Sequence, residues 1–190
     1  MKLGERQCQL DSIDIQILSQ LQQNCRISLA KLGEQVGLSA PSVLERVKKL
    51  EEGGVITGYH AHLAARLLGK DVTAFIGVSI SHPTLVEKFA RDVVLLDDVL
   101  ECHHVTGQHS MLLKVKTDTT ATLEKLITAI RSLEGVARTE TMVVLSTRVE
   151  STSLSLATLQ PLEATYSVKA RPRAETGRGE LNGGDGPKHA

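Results

Sequence analysis

Ile27-Ser-Leu-Ala-Lys-Leu-Gly-Glu-Gln-Val-Gly-Leu-Ser-Ala-Pro-Ser-Val-Leu-Glu-Arg-Val-Lys-Lys-Leu50 decides how the first part of this chain folds. Leu29, Leu32 and Val36 fall on one face of a helix. Gly37 follows, where the helix stops and the backbone enters a left-handed turn. Ser39 is placed to cap a second helix, and Pro41 fits in its first turn. Val43, Val47 and Leu50 form the buried stripe of that helix. Ser42, Glu45, Arg46 and Lys49 occupy the opposite face. The intervening turn is too short for two independent helices, so the pair is one rigid unit. An apolar-backed helix that opens with small polar residues and carries cations behind them fits a DNA major groove.

Upstream, Asp11 can cap a first helix whose stripe is Ile13, Ile17 and Leu21, which closes a three-helix core. Downstream, Glu51-Glu-Gly-Gly54 ends the third helix. Val55-Ile56 and Tyr59-His-Ala-His-Leu63 read as short strands, a wing and its continuation around Gly58. Residues 8–60 therefore read as a winged helix-turn-helix domain, with 61–71 as a linker.

The remainder changes character. Val72–Ser81 is strand-like, and Thr84-Leu-Val-Glu87 reads as a capping box opening a helix that buries Leu85, Phe89 and Val93. Val99–Thr106 and Ser110–Lys116 are two strands joined by a turn at Gly107-Gln108. Thr120 opens a helix with Leu123, Leu126, Ile127 and Ile130 on one face, and Val136–Val149 is a long final strand. The order β-α-β-β-α-β predicts a ferredoxin-like unit over residues 72–150, so the whole chain is α+β. Such a sheet has both helices on one face, and an apolar open face calls for another subunit. Residues 151–160 are rich in Ser, Thr and Leu and are placed to extend the last strand or wrap a neighbour. From about residue 169 the extension that ends at 190 has the composition of a disordered tail, with Lys169, Arg171, Arg173, Arg178 and Lys188 as loose phosphate attraction.

Charge is informative locally rather than globally. The 22 basic and 22 acidic residues cancel, which argues against a bulk nucleic-acid coat. Residues 26–49, however, carry five cations (Arg26, Lys31, Arg46, Lys48, Lys49) against Glu34 and Glu45, the kind of excess that steers a surface to phosphates. Cys8, Cys25 and Cys102 are widely spaced and odd in number, which fits a reducing cytoplasm rather than a disulfide framework. Neither a signal peptide nor a membrane-spanning run is visible. Cys102, His103, His104 and His109 invite a metal reading, but strand alternation gives one strand two ligands at best. His60 and His62 share one face of the linker strand and are again a pair at best, so no metal site is expected. No catalytic constellation, phosphate loop or cofactor motif is present.

Leu10-Asp-Ser-Ile-Asp14, Asn24-Cys-Arg26, Val36-Gly-Leu-Ser39 and Arg46-Val-Lys-Lys-Leu-Glu-Glu-Gly-Gly-Val-Ile-Thr-Gly-Tyr59, followed by β-α-β-β-α-β, resemble the leucine-responsive regulatory protein/AsnC family of transcriptional regulators. The resemblance covers roughly residues 8–150. It implies a head that binds double-stranded DNA, a linker strand that pairs with a partner chain, and an effector-binding domain that sensing members use for amino acids. It also implies dimers that commonly assemble into octamers. In the head, Ser39, Ser42, Arg46 and Lys49 are the expected DNA contacts, with an ion pair from Arg46 to Glu45 or Glu52 as its alternative role. Gly33 stands where helix-turn-helix units usually carry Ala. In the second domain the family's Gly-x-x-Asp segment reads Gly107-Gln-His-Ser110, so the acid is replaced by Ser110. Gly107 retains a turn whose backbone N–H groups can meet a carboxylate. Thr106, Gln108, His109, Thr139 and Thr141 are the further expected lining of a pocket between dimers, with Glu140 as a carboxylate that could compensate for Ser110. Two other functions fit the architecture: a siroheme-decarboxylase-like enzyme, favoured only by the His cluster, and an architectural DNA-binding protein without an effector.

Overall fold

Capping chemistry sets the first three helices. The computed structural model describes residues 10–156. In α1 (Ser12–Gln23), the Asp11 side chain accepts from the Asp14 N–H while the Asp14 carboxylate accepts from the Asp11 N–H, a reciprocal box that fixes the first turn. Ser28 caps α2 (Leu29–Val36), and Gly37 ends it in the left-handed region at φ 71°. Ser39 caps α3 (Ala40–Glu52), with Pro41 in its first turn. Ile17, Leu32, Val36, Val43, Val47 and Leu50 make the core that these helices share.

The expected wing is not a strand. The Val55 and Ile56 N–H groups both donate to the Leu50 carbonyl, at 2.9 and 3.1 Å. Donors spent on closing the end of α3 cannot enter a ladder. Residues 59–63 are likewise not strand, because no described strand of this chain lies beside them. Tyr59 instead donates its hydroxyl to Glu51 at 2.8 Å.

The chain divides into two units, the first ending at His60 and regaining the chain from Ser153, the second spanning Ala61–Thr152. In the second unit a short 3-10 turn (Ala65–Leu68) leads to β1 (Val72–Ile80), α4 (Val86–Val93), β2 (Val99–His104), β3 (Met111–Thr117), α5 (Thr120–Ser132) and β4 (Val136–Val143). The antiparallel sheet has the order β2-β3-β1-β4. Ala74, Ile76 and Val78 of β1 and Met111, Leu113 and Val115 of β3 point to the helices and pack on Phe89, Val93, Leu123, Leu126 and Ile130. Alternation sends Phe75, Gly77, Leu112, Glu140 and Met142 to the other face.

Two boundaries differ from expectation. Thr84 does not cap α4: a 3-10 turn at Pro83–Leu85 comes first, and the His82 ring nitrogen accepts from the Thr84 N–H. His82 thus caps a 3-10 turn two residues ahead of Thr84, and the α-helix opens only at Val86. The last strand stops at Val143 rather than Val149, because β1 begins at Val72 and its ladder ends with Val144 donating to the Thr73 carbonyl. Of the expected extension, residues 151–156 are not strand, and Leu154 exchanges two hydrogen bonds with the Gln22 amide. Residues 157–190, including the expected disordered tail from about 169, and Cys8 lie outside the described residues. No described helix is long and apolar enough to cross a membrane.

Candidate functional site: a recognition helix and a loop-edged cleft

In the first unit the α3 surface combines a polar start with free cations. Ser39 Oγ lies 2.9 Å from Ser42 Oγ and accepts from the Ser42 N–H at 3.3 Å, so both hydroxyls sit at the helix N-terminus. Lys49 is exposed ten residues further on, on the face opposite Val43, Val47 and Leu50. The side chains of Arg26, Lys31, Lys48 and Lys49 are exposed and form no ion pair with any described residue.

Arg46 is different. Its Nη1 donates to Asp11 Oδ2 at 2.6 Å and to Asp14 Oδ1 at 2.8 Å, and the Asp14 side chain is only 4% exposed. The expected alternative partners, Glu45 and Glu52, are replaced by carboxylates of α1. The reason lies in the cap of α1: its box sinks a carboxylate under the helix, and a buried carboxylate requires a counter-charge. The pairing raises the Arg46 pKa, first through Asp11 and then through Asp14. Burial works to raise the Asp11 carboxyl, but the Asp14 N–H and the Arg46 guanidinium outweigh it and hold it below the usual carboxylate value. The remaining guanidinium donors of Arg46 have no acceptor among the described residues.

Gly33 is a packing requirement. A Cβ there would stand 2.4 Å from the Leu38 carbonyl oxygen, on the turn that joins α2 to α3. The Leu38 N–H donates to the Gly33 carbonyl at 2.9 Å, so the two backbones are tied at that approach.

In the second unit a cleft of about 400 Å³ opens beside the β2–β3 loop. Gly107, Gln108, His109 and Ser110 form one edge. Gly107 turns the loop at φ 117°, a conformation that favours glycine. Ile80, Pro83, Val86 and Val105 supply an apolar wall, while Glu87 and His104 add polar groups that the sequence reading did not assign to it. In sequence Glu87 reads as part of a capping box and His104 as part of a metal cluster. Thr106 lies on the loop but does not line this cleft, and Thr139 and Thr141 lie on β4, paired with Val78 and Ile76.

Ser110 and His109 serve the sheet as well as the loop. On the β3 side of β1 the Ile80 N–H donates to Ser110 Oγ at 3.2 Å, and on the other side the register of β1 on β4 shifts between Ser79 and Ile80. The His109 ring covers Gly77, where a Cβ would come within 2.4 Å of it. His109 Nε2 lies 3.2 Å from Glu140 Oε2, while Nδ1 is buried without a partner. Cys102 and His104 point to the helix side and His103 to the other, where it meets Glu101 at 3.1 Å. Among the described residues no three His, Cys, Asp or Glu side chains gather to hold a metal ion.

Comparison with known proteins agrees with both halves. Residues 10–51 match the AsnC-type helix-turn-helix domain, and residues 73–154 match the Lrp/AsnC ligand binding domain. The chain is 40% identical to the leucine-responsive regulatory protein of Haemophilus influenzae over 72% of its own length and 84% of that protein. It is 46% identical to the uncharacterized HTH-type transcriptional regulator YezC of Bacillus subtilis over 62% of its own length and 83% of that protein. Among solved structures, the L-Met complex of the Neisseria meningitidis transcriptional regulator NMB0573 matches with a TM-score of 0.75 and 33% identity, covering 80% of this chain and 99% of that one. AsnC of Escherichia coli matches with a TM-score of 0.71 and 31% identity, over 76% of this chain and 97% of that one. A capped, cation-edged recognition helix in one unit and a loop-edged cleft on a βαββαβ sheet in the other are thus the two parts of a DNA-binding transcriptional regulator with a ligand-binding domain, not of an enzyme, and the chain belongs to the Lrp/AsnC family.

Proposed function

We propose that residues 8–60 read specific DNA sequences through the α3 face bearing Ser39, Ser42, Arg46 and Lys49, and that residues 72–150 bind an amino-acid effector and join subunits. The observation that carries the DNA surface is the set of four exposed cations without ion-pair partners, Arg26, Lys31, Lys48 and Lys49. Unpaired cations release counterions from phosphates, whereas paired ones have already spent their charge. Arg46 takes part mainly by holding α3 against α1, offering DNA only the donors that Asp11 and Asp14 leave free.

Exposed apolar side chains support a homo-oligomer. Leu63, Leu67 and Leu68 precede the sheet at 71, 86 and 62% exposure, and Met142 lies 46% exposed on the face away from the helices. A second copy that covers this surface makes a dimer, with octamers as the larger assembly. A two-fold dimer binds half-sites about one helical turn, or a multiple of it, apart. The cleft takes its effector at a contact between dimers, and an amino acid as that effector is supported by the Neisseria relative, which is solved as a complex with L-Met. A regulator of this kind works in the cytoplasm.

The test is selection of bound duplexes from random DNA, followed by mobility shifts with the selected and the scrambled sequence at fixed salt. The selected duplex is expected to bind about a thousandfold more tightly. Equal affinity for both would leave only architectural, sequence-blind binding.

A further inference from the structure

Resting on the effector reading above, we infer that the carboxylate which holds the effector's ammonium group is Glu87, at the start of α4, and not any residue of the β2–β3 loop or of β4. The loop side of the cleft offers free backbone donors. The Gly107, Gln108 and His109 N–H groups have no acceptor among the described residues. Ser110 adds to this polarity, because its Oγ already accepts from the Ile80 N–H and has its own O–H left to give. Such donors suit a carboxylate, and Gly107–Ser110 include no anionic side chain to hold an ammonium.

Glu140 is placed elsewhere. It pairs with Gly77 on the face away from the helices, lies beside His109 Nε2, and does not line the cleft. Glu87 does line it. Its neighbour Lys88 is paired with Glu134, and Glu87 has no ion-pair partner among the described residues. The cleft therefore holds loop donors on one side, an unpaired carboxylate on another, and the apolar wall of Ile80, Pro83 and Val86. That combination fits a zwitterionic α-amino acid with an aliphatic or thioether side chain. Its carboxylate meets the loop, its ammonium meets Glu87, and its side chain lies on the wall.

The experiment is calorimetric titration of the full chain with L-leucine, L-isoleucine, L-valine and L-methionine, and with the 2-oxo acid analogue of whichever binds. The parent is expected to bind at least one amino acid and to discriminate against the 2-oxo acid by about tenfold or more, since charge-assisted hydrogen bonds are the strong ones. Glu87→Gln is expected to weaken the amino acid by a similar factor, leave the 2-oxo acid unchanged and so erase the discrimination. Glu140→Gln is expected to leave both affinities as they were. An amino acid that binds Glu87→Gln as tightly as the parent, or a parent that accepts the 2-oxo acid equally well, overturns the role of Glu87 while leaving the effector reading intact. If none of the four amino acids binds the parent, this inference fails together with the aliphatic effector on which it rests.

Discussion

Two glycines separate the two halves of the molecule. At Gly33 the neighbour that leaves no room for a Cβ is the backbone carbonyl of Leu38, and at Gly77 it is the imidazole of His109, each at 2.4 Å. The first neighbour is fixed by two helices and a hydrogen bond; the second is a side-chain ring, met at Cδ2, Cγ and Nε2. The recognition unit is thus built to hold one geometry, whereas the sheet carries a movable ring next to the loop that edges its cleft. A DNA reader needs its helix angle fixed before contact, and a ligand site needs a part that can respond.

The largest effect that tests this contrast is at the clamp between α1 and α3. Arg46→Ala leaves the buried Asp14 carboxylate without its cation, and the folded head is expected to lose about 3 kcal/mol, as for other broken buried pairs. Urea unfolding followed by helical circular dichroism measures it. A variant as stable as the parent would mean that α3 is not held by this pair.

Gly33→Ala comes next. The helix gains about 1 kcal/mol in propensity, but overpacking against the Leu38 carbonyl costs about 1–3 kcal/mol, so the net is expected to be a loss of up to about 2 kcal/mol. Gly77→Ala is expected to be milder in stability, under about 1 kcal/mol, because the His109 ring can swing away. Its signature is instead a changed effector affinity, read by calorimetry beside the unfolding curve. Should Gly77→Ala destabilise more than Gly33→Ala, the contrast between rigid and movable neighbours is wrong.

The smallest effect is electrostatic. Lys114 and then Lys116 hold the Glu150 carboxyl below its usual value, with Lys114 Nζ 2.5 Å from it. A carboxyl whose folded pKa is depressed adds stability above its ordinary value of 4.5, and loses it as the pH falls through the folded value. Asp11 behaves in the same direction in the head, below an ordinary value of 3.8. Acidification from about pH 5 to pH 3 is therefore expected to lower the melting temperature of the parent slightly more than that of Glu150→Gln. Identical slopes for both would show that Glu150 contributes nothing measurable.

What could be read directly from the residues was what neighbours decide. Asp11, Ser28, Ser39 and Thr119 cap helices through groups two to three positions away; the caps expected at Asp11 and Ser39 and the helix start expected at Thr120 fall where the spacing puts them, while the box expected at Thr84 does not form. The stripes that fill both cores follow helical and strand periods for the same reason. What was not legible depends on residues far apart. Arg46 and Asp14 are 32 positions apart, and His109 meets Gly77 and Glu140 only through the sheet register. The strands expected after α3 failed because a strand is a property of two segments, and Val55 and Ile56 give their donors to Leu50 instead. In the cleft, Gly107–Ser110 were visible as a loop motif, but Glu87 arrives from α4 and could not be joined to them without the fold.

The proposed division of work has exposed, unpaired cations on α3 binding DNA while Arg46 positions the helix. Fluorescence anisotropy of a labelled selected duplex, titrated with the parent, Lys49→Ala and Arg46→Lys over a range of salt, addresses it most directly. Lys49→Ala is expected to keep its unfolding curve, bind every sequence more weakly by a similar factor, and reduce the salt slope by about one. Arg46→Lys, which keeps the charge but not the fork that reaches two carboxylates, is expected to lose stability and sequence discrimination with the salt slope nearly unchanged. An unchanged affinity and slope for Lys49→Ala, together with a slope that falls for Arg46→Lys, would contradict it.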